Sequence, residues 1–197
     1  MLVNGGRREP LPGTWSASLE LLVRRLAPRF RRLAFLEVRY RVRSWRRLEL
    51  CVEDATAALD AAAERGARAT LLVGFSMGGA VAAAAAVHPT VRAVVGLAPW
   101  LPDALPLDAL AGKRFSVVHG SLDRPLPGLA GVAPTASRRG FDRARAAGTV
   151  DAQYTLLRGA FHALALRGPA GLVPLPRARA WTERVARELA LFEAAAA

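Results

Sequence analysis

The sequence has 197 residues, 52% of them hydrophobic, which is enough chain for one domain of ordinary size with a substantial core. Its formal charge is +12, from 28 basic and 16 acidic residues, yet Lys113 is the only lysine and the arginines are scattered from Arg7 to Arg187. That scatter argues against a nucleic-acid footprint, and the single Cys51 excludes an internal disulfide and a cysteine-based metal site.

In chain order, Met1-Leu2-Val3 reads as a very short strand running into Asn4-Gly5-Gly6, without the basic-then-apolar order of a secretory signal. A helix follows over 16–29, for which Ser16 and Ser18 offer N-caps, and then a strand over 33–38. The block from Arg39 to Arg47 interleaves Tyr40 and Trp45 with arginine; it is read as a solvated loop, with a grip on an anion as the other reading. A helix over 48–65, with Cys51 as a buried thiol, ends at Gly66, where a left-handed residue suits a helix terminus.

Strands over 70–74, 93–97, 115–119 and 153–157 alternate with helices over 77–87, 136–147 and 177–194. Proline-rich stretches at 100–107 and 125–134 read as loops. Such alternation predicts an α/β fold, a mostly parallel sheet of about six strands with helices on both faces. The longest apolar region, 74–87, is closed by His88-Pro89 and then Arg92, short of the ~20 residues of a membrane span. A soluble, cytoplasmic chain with no membrane partner is expected.

The chemistry concentrates in Gly74-Phe75-Ser76-Met77-Gly78, a Gly-x-Ser-x-Gly segment lying between a predicted strand and a predicted helix. In a sharp strand-to-helix turn that exposes a nucleophilic serine, the residues two before and two after it approach other backbone too closely to carry a side chain. Gly74 and Gly78 fill those places, and Gly79 lets the helix pack closely on a neighbour. A plain turn with Ser76 as N-cap explains one glycine but not the pair. The helix beginning at Met77 aims unpaired N–H groups at the serine, which suits a developing oxyanion.

A serine needs a base, and there are three histidines. His88 ends the elbow helix and is expected far from the site, and His119 lies at the end of a strand. His162 follows the last strand on a loop at the right edge of the sheet, which makes it the better base.

With Ser76, the segment His119-Gly120-Ser121-Leu122-Asp123 and a later histidine in that order, the chain resembles the α/β-hydrolases, in particular small dienelactone-hydrolase-like and esterase-like members. The resemblance extends from Asn4 to about Leu166. It implies Asp123 as the acid of a Ser76-His162-Asp123 triad, His119 as a structural residue, and Pro127 as a proline such chains often carry. Asp103 and Asp151 are the rival acids. It also implies that a glycine turn, here Asn4-Gly5-Gly6, completes the oxyanion hole, so the backbone donors would be Gly6 and Met77.

Two departures stand out. The strands that usually open the family's fold are missing before Met1, so this is either a minimal version or a chain whose start lies upstream. Dienelactone hydrolases proper use cysteine where Ser76 stands. The connection from 98 to 113 is too short for the helical cap found in members acting on long acyl chains. An uncapped site bounded by Trp45, Trp100, Leu101 and Phe161 is therefore expected, with a small-molecule acyl substrate, and the arginines near Trp45 would favour an anionic one. No metal or organic cofactor is implied. Carboxylesterase, thioesterase and peptidase share this chemistry, and a non-catalytic binding module on the same fold is the rival class.

Overall fold

The computed structural model describes residues 1–6, 16–125 and 131–196. The expected Pro127 and part of the proline-rich 125–134 loop lie outside the described residues.

Six strands form one wholly parallel sheet in the order β2-β1-β3-β4-β5-β6. They are β1 (Leu2–Val3), β2 (Glu37–Val38), β3 (Thr70–Phe75), β4 (Val91–Leu97), β5 (Arg114–Gly120) and β6 (Val150–Leu157). The central strand β3 is buried along its whole length, as a parallel strand covered on both faces must be.

Alternation along that strand sorts side chains between two cores. Leu72 joins the layer built with α2 (Leu48–Glu64), α3 (Met77–Ala85) and α4 (Pro134–Ala146). Leu71, Val73 and Phe75 face α1 (Ala17–Leu26) and α5 (Ala178–Ala196), where Leu22 and the fully buried Trp181 pack. Helix α3 is almost entirely glycine, alanine and valine after Met77 and is buried on nearly all sides, so small side chains let it lie between the sheet and α2.

The expected helices agree with these to within two or three residues at each end. Two strand expectations do not hold. Only Glu37–Val38 of the apolar 33–38 stretch joins the sheet, because β1 offers just two residues for it to pair with. An antiparallel hairpin, β7 (Ala165–Gly168) with β8 (Gly171–Pro174), follows the last sheet strand, where no strand was expected. Its two arms are four residues each and lack a clean apolar alternation, so they carry little periodic signal.

Residues 98–113 contain a single 3-10 turn, Asp108–Leu110, and no cap helix. Cys51 is buried on α2, as expected, with its thiol 3.3 Å from the Val42 carbonyl and its pKa pushed up by burial. No described helix is long and apolar enough to cross a membrane.

Candidate active site

Ser76 follows the last residue of β3 and precedes α3, with φ 55° and ψ −120°, a conformation that costs a side-chain-bearing residue about 1–3 kcal/mol. The surrounding backbone holds it there. Its N–H donates to the Leu97 carbonyl at 2.9 Å, and its own carbonyl accepts from Gly79 and Trp100, each at 2.9 Å. The hydroxyl makes no capping bond to α3. Ser16 shows what a capping serine does in this chain: it sits in extended backbone (φ −71°, ψ 144°) and accepts from the Leu19 N–H.

The flanking glycines have the steric reasons expected of them. A Cβ on Gly74 would run into the Gly78 carbonyl and lie 2.8 Å from the Gly79 nitrogen. One on Gly78 would strike the Val3 carbonyl and approach that of Asn4 to 2.6 Å. Both contacts are with backbone, which cannot swing aside. Gly79 lets α3 approach a close neighbour, as expected, and that neighbour is Pro99 in the loop after β4.

Asp123 and His162 are brought together from the ends of β5 and β6. His162 Nδ1 donates to Asp123 Oδ2 at 2.7 Å, and the His162 ring lies against Phe75, the residue before the serine, with centroids 5.1 Å apart. Gly120 makes this possible, since a Cβ there would collide with the carbonyls of Ala160 and Phe161 on the histidine's own loop. Bonds from Ser121 N–H to Leu157 O, Leu122 N–H to Ala160 O and Gly159 N–H to Ser121 Oγ tie the two loops together.

The rival acids stand elsewhere. Asp103 is exposed beside Arg143 at 3.5 Å, and Asp151 is an exposed residue at the start of β6 with φ 47°. His88 is remote, bonded to Thr90 and Asp60 at the opening of β4.

Asp123 is almost completely buried, and three donors converge on it. Oδ1 accepts the Val132 N–H at 3.0 Å, while Oδ2 takes His162 and also His119 Nε2, at 2.9 Å. Burial opposes the negative charge, but the bonds from His119 and His162 outweigh it and hold the carboxyl below the usual aspartate range.

His119 is therefore more than a buried strand residue. Its Nε2 faces two acceptors, Asp123 and the Val132 carbonyl at 2.8 Å, and so must carry the proton. Its Nδ1 meets the Ser137 hydroxyl at 2.7 Å, which in turn lies 2.9 Å from the Tyr154 hydroxyl. Sequence reasoning missed Ser137 and Tyr154 altogether. The signal for His119 was its spacing of four from Asp123, which lets both side chains turn to the same spot past a strand end.

Asn4, expected only as part of the glycine turn, is fully buried and braces it. Its side chain accepts the Ser16 N–H and donates to Glu37, and its carbonyl accepts the Tyr40 hydroxyl. Gly5 packs on Ser76, where an added Cβ would be 3.4 Å from the serine Cβ. Gly6 lies under the Trp45 ring and beside the Met77 thioether.

Trp45 and Phe161 are exposed at this end of the sheet, and Trp100 is partly buried there. Leu101 is not a wall of the site; it is buried against Gly140 of α4. Within the arginine block, Arg41 is paired with Glu53 and Asp54, and Arg47 with Glu49, so part of the cluster's charge is locally compensated. No group of three or more His, Cys, Asp or Glu side chains able to hold a metal occurs among the described residues.

No protein-family model matches the sequence, and no curated protein is found similar to it. Solved structures do match. Esterase PE8 superposes with a TM-score of 0.67 at 17% identity, covering 95% of this chain and 90% of that one. A monoacylglycerol lipase from Paleococcus ferrophilus gives 0.61 at 14% identity, covering 95% and 92%. Dienelactone hydrolase from Anabaena variabilis gives 0.60 at 15% identity, covering 94% and 82%. The likeness is one of fold: this chain has the α/β-hydrolase fold.

Proposed function

We propose that this protein is a serine hydrolase that cleaves esters or thioesters of small acyl groups, with Ser76 as nucleophile, His162 as base and Asp123 as the residue that orients the histidine. The observation that carries the reading is the backbone of Ser76. A serine that merely capped α3 would adopt extended backbone and accept a helix N–H on its oxygen, as Ser16 does for α1. Ser76 instead occupies a strained left-handed conformation with its hydroxyl left out of the cap. The fold shared with a solved esterase and a lipase supports the same reading.

The chemistry follows from the placement of donors. With the proton of Nδ1 committed to Asp123, Nε2 of His162 is free to accept the Ser76 proton as Oγ bonds to the acyl carbon. The carbonyl oxygen becomes an oxyanion, met by the N–H groups of Met77 and Gly6. Collapse breaks the bond to the leaving alkoxide or thiolate, which takes the proton from His162. Water then adds to the acyl-enzyme with His162 again as base, releasing the carboxylic acid and restoring Ser76. Trp45, Trp100 and Phe161 bound an open acyl site, since no cap helix lies between β4 and β5.

A fluorophosphonate probe followed by a panel of acyl esters and thioesters tests this. Labelling of the wild type at Ser76 with turnover of short acyl substrates is expected. Failure of Ser76 to label, or unchanged turnover in Ser76→Ala, would overturn it.

A further inference from the structure

A cavity of ≈ 420 Å³ opens at the edge of the sheet opposite Ser76, bounded by the first residues of β1 and β3 and by α1 and α5. That volume falls within the roughly 300–1,000 Å³ of small-molecule sites. Its walls are apolar, with Leu22, Leu26, Leu71, Leu189 and Phe192 contributed by three separate elements, α1, β3 and α5. Part of the wall is the 33–36 segment, whose apolar side chains face this space instead of extending β2. Leu36 is left 41% exposed at its rim.

The charged side chains on the lining are Arg32 and Arg65, and no carboxylate lines it. Arg31 and Arg68 adjoin lining residues in sequence, as do Glu37, Glu64, Glu188 and Glu193 outside the lining. Arg65 donates to the Ala61 carbonyl, and among the described residues none of these four arginines is in an ion pair. Arg29, Arg41, Arg47, Arg114 and Arg138, by contrast, are each paired with an acid, although other described arginines of this basic chain also stand outside ion pairs. An apolar chamber with guanidinium groups on its lining and no carboxylate on it suits a ligand with a hydrocarbon tail and an anionic head.

We infer that this cavity binds an amphiphile with a single aliphatic tail and a carboxylate or phosphate head, at a site separate from Ser76. Strand β3 runs from Thr70 at the cavity to Phe75 at the serine, a separation of about 17 Å at ~3.3 Å per residue. One ligand cannot place its head at Arg32 and its acyl carbon on Ser76 unless its tail threads the packed sheet, so occupancy here is independent of the hydrolase reading.

Isothermal titration calorimetry of the full chain with decanoate and with decyl phosphate, below their micellar concentrations, tests the inference. Saturable one-to-one binding of at least one of the two is expected, and the tighter of them identifies the head group. 1-Decanol should bind at least tenfold more weakly, and decyltrimethylammonium should show no saturable binding. Arg32→Ala combined with Arg65→Ala should reduce the anion's affinity to that of decanol and leave decanol unchanged. Ala69→Trp, which places an indole in the chamber, should abolish binding of all three; the arginine variant, altering exposed side chains, remains decisive if Ala69→Trp fails to fold. Absence of saturable anion binding, or equal affinity for decanoate and decanol, or an arginine variant that binds the anion like wild type, would overturn the inference.

Discussion

Replacing Asp123 with asparagine separates orientation from architecture, because the structure dictates how the amide must sit. Val132 N–H needs an acceptor, so the asparagine oxygen takes the place of Oδ1 and the NH2 takes that of Oδ2. There it confronts the N–H groups of His119 and His162. His119 keeps its bond to the Val132 carbonyl and loses only one of two acceptors. His162 has no such alternative and relieves the clash by moving its proton to Nε2, the nitrogen that must accept from Ser76. Stability should therefore fall modestly, by about 1–3 kcal/mol for one buried donor left short of a partner. Ester turnover should fall on the order of 10⁴-fold, the effect known for the equivalent change in a serine protease triad.

The pH dependence of that stability loss has a definite sign. The folded carboxyl is held below its unfolded value of about 3.9, so its contribution is fully present above that pH. It disappears as the pH falls through the lower folded value, and wild type and Asp123→Asn should converge in stability there. Denaturant melts across pH 2–7 and p-nitrophenyl acetate kinetics measure the two effects. Turnover within tenfold of wild type, or Asp103→Asn proving the crippling change, would refute the argument.

Ser76→Gly should eliminate turnover while raising stability by about 1 kcal/mol in chemical denaturation, because it removes a side chain from a left-handed backbone; a less stable variant would count against strain at the elbow. Gly78→Val drives a branched side chain into the backbone of Val3 and Asn4 and should cost about 3 kcal/mol or more, seen as loss of soluble protein; a soluble, active variant would remove the steric account of the turn. His119→Phe fills the buried space but withdraws a donor that lowers the Asp123 carboxyl, so acid unfolding should begin at higher pH than in wild type, checked by ellipticity against pH. Across p-nitrophenyl esters from acetate to palmitate, kcat/KM should plateau beyond short chains, each added methylene gaining much less than the ~0.8 kcal/mol of full burial; a steady rise to palmitate would reveal an enclosed acyl channel.

Local pattern was sufficient wherever the physics is local. The alternation of apolar runs with helical stretches yields a parallel sheet between two helix layers, and the spacing of Gly74, Ser76 and Gly78 specifies a turn whose steric demands come from residues a few positions apart. His162 and Asp123 were readable because each follows a strand, and parallel strands present their carboxyl ends on one edge. Pairing, by contrast, depends on partners far along the chain. The 33–38 stretch reads as a strand from its own residues, yet β1 is only two residues long, so Leu33 to Leu36 turn to the cavity instead.

The same holds for Leu101, whose place beside Trp100 suggests the site but whose contact with Gly140 on α4 buries it elsewhere. It holds most of all for His119, Ser137 and Tyr154. Nothing in the sequence joins a strand, a helix and an edge strand into one hydrogen-bonded group around Asp123. Their union comes from the packing of β5, α4 and β6, where a buried carboxylate must be met by donors from whichever elements surround it.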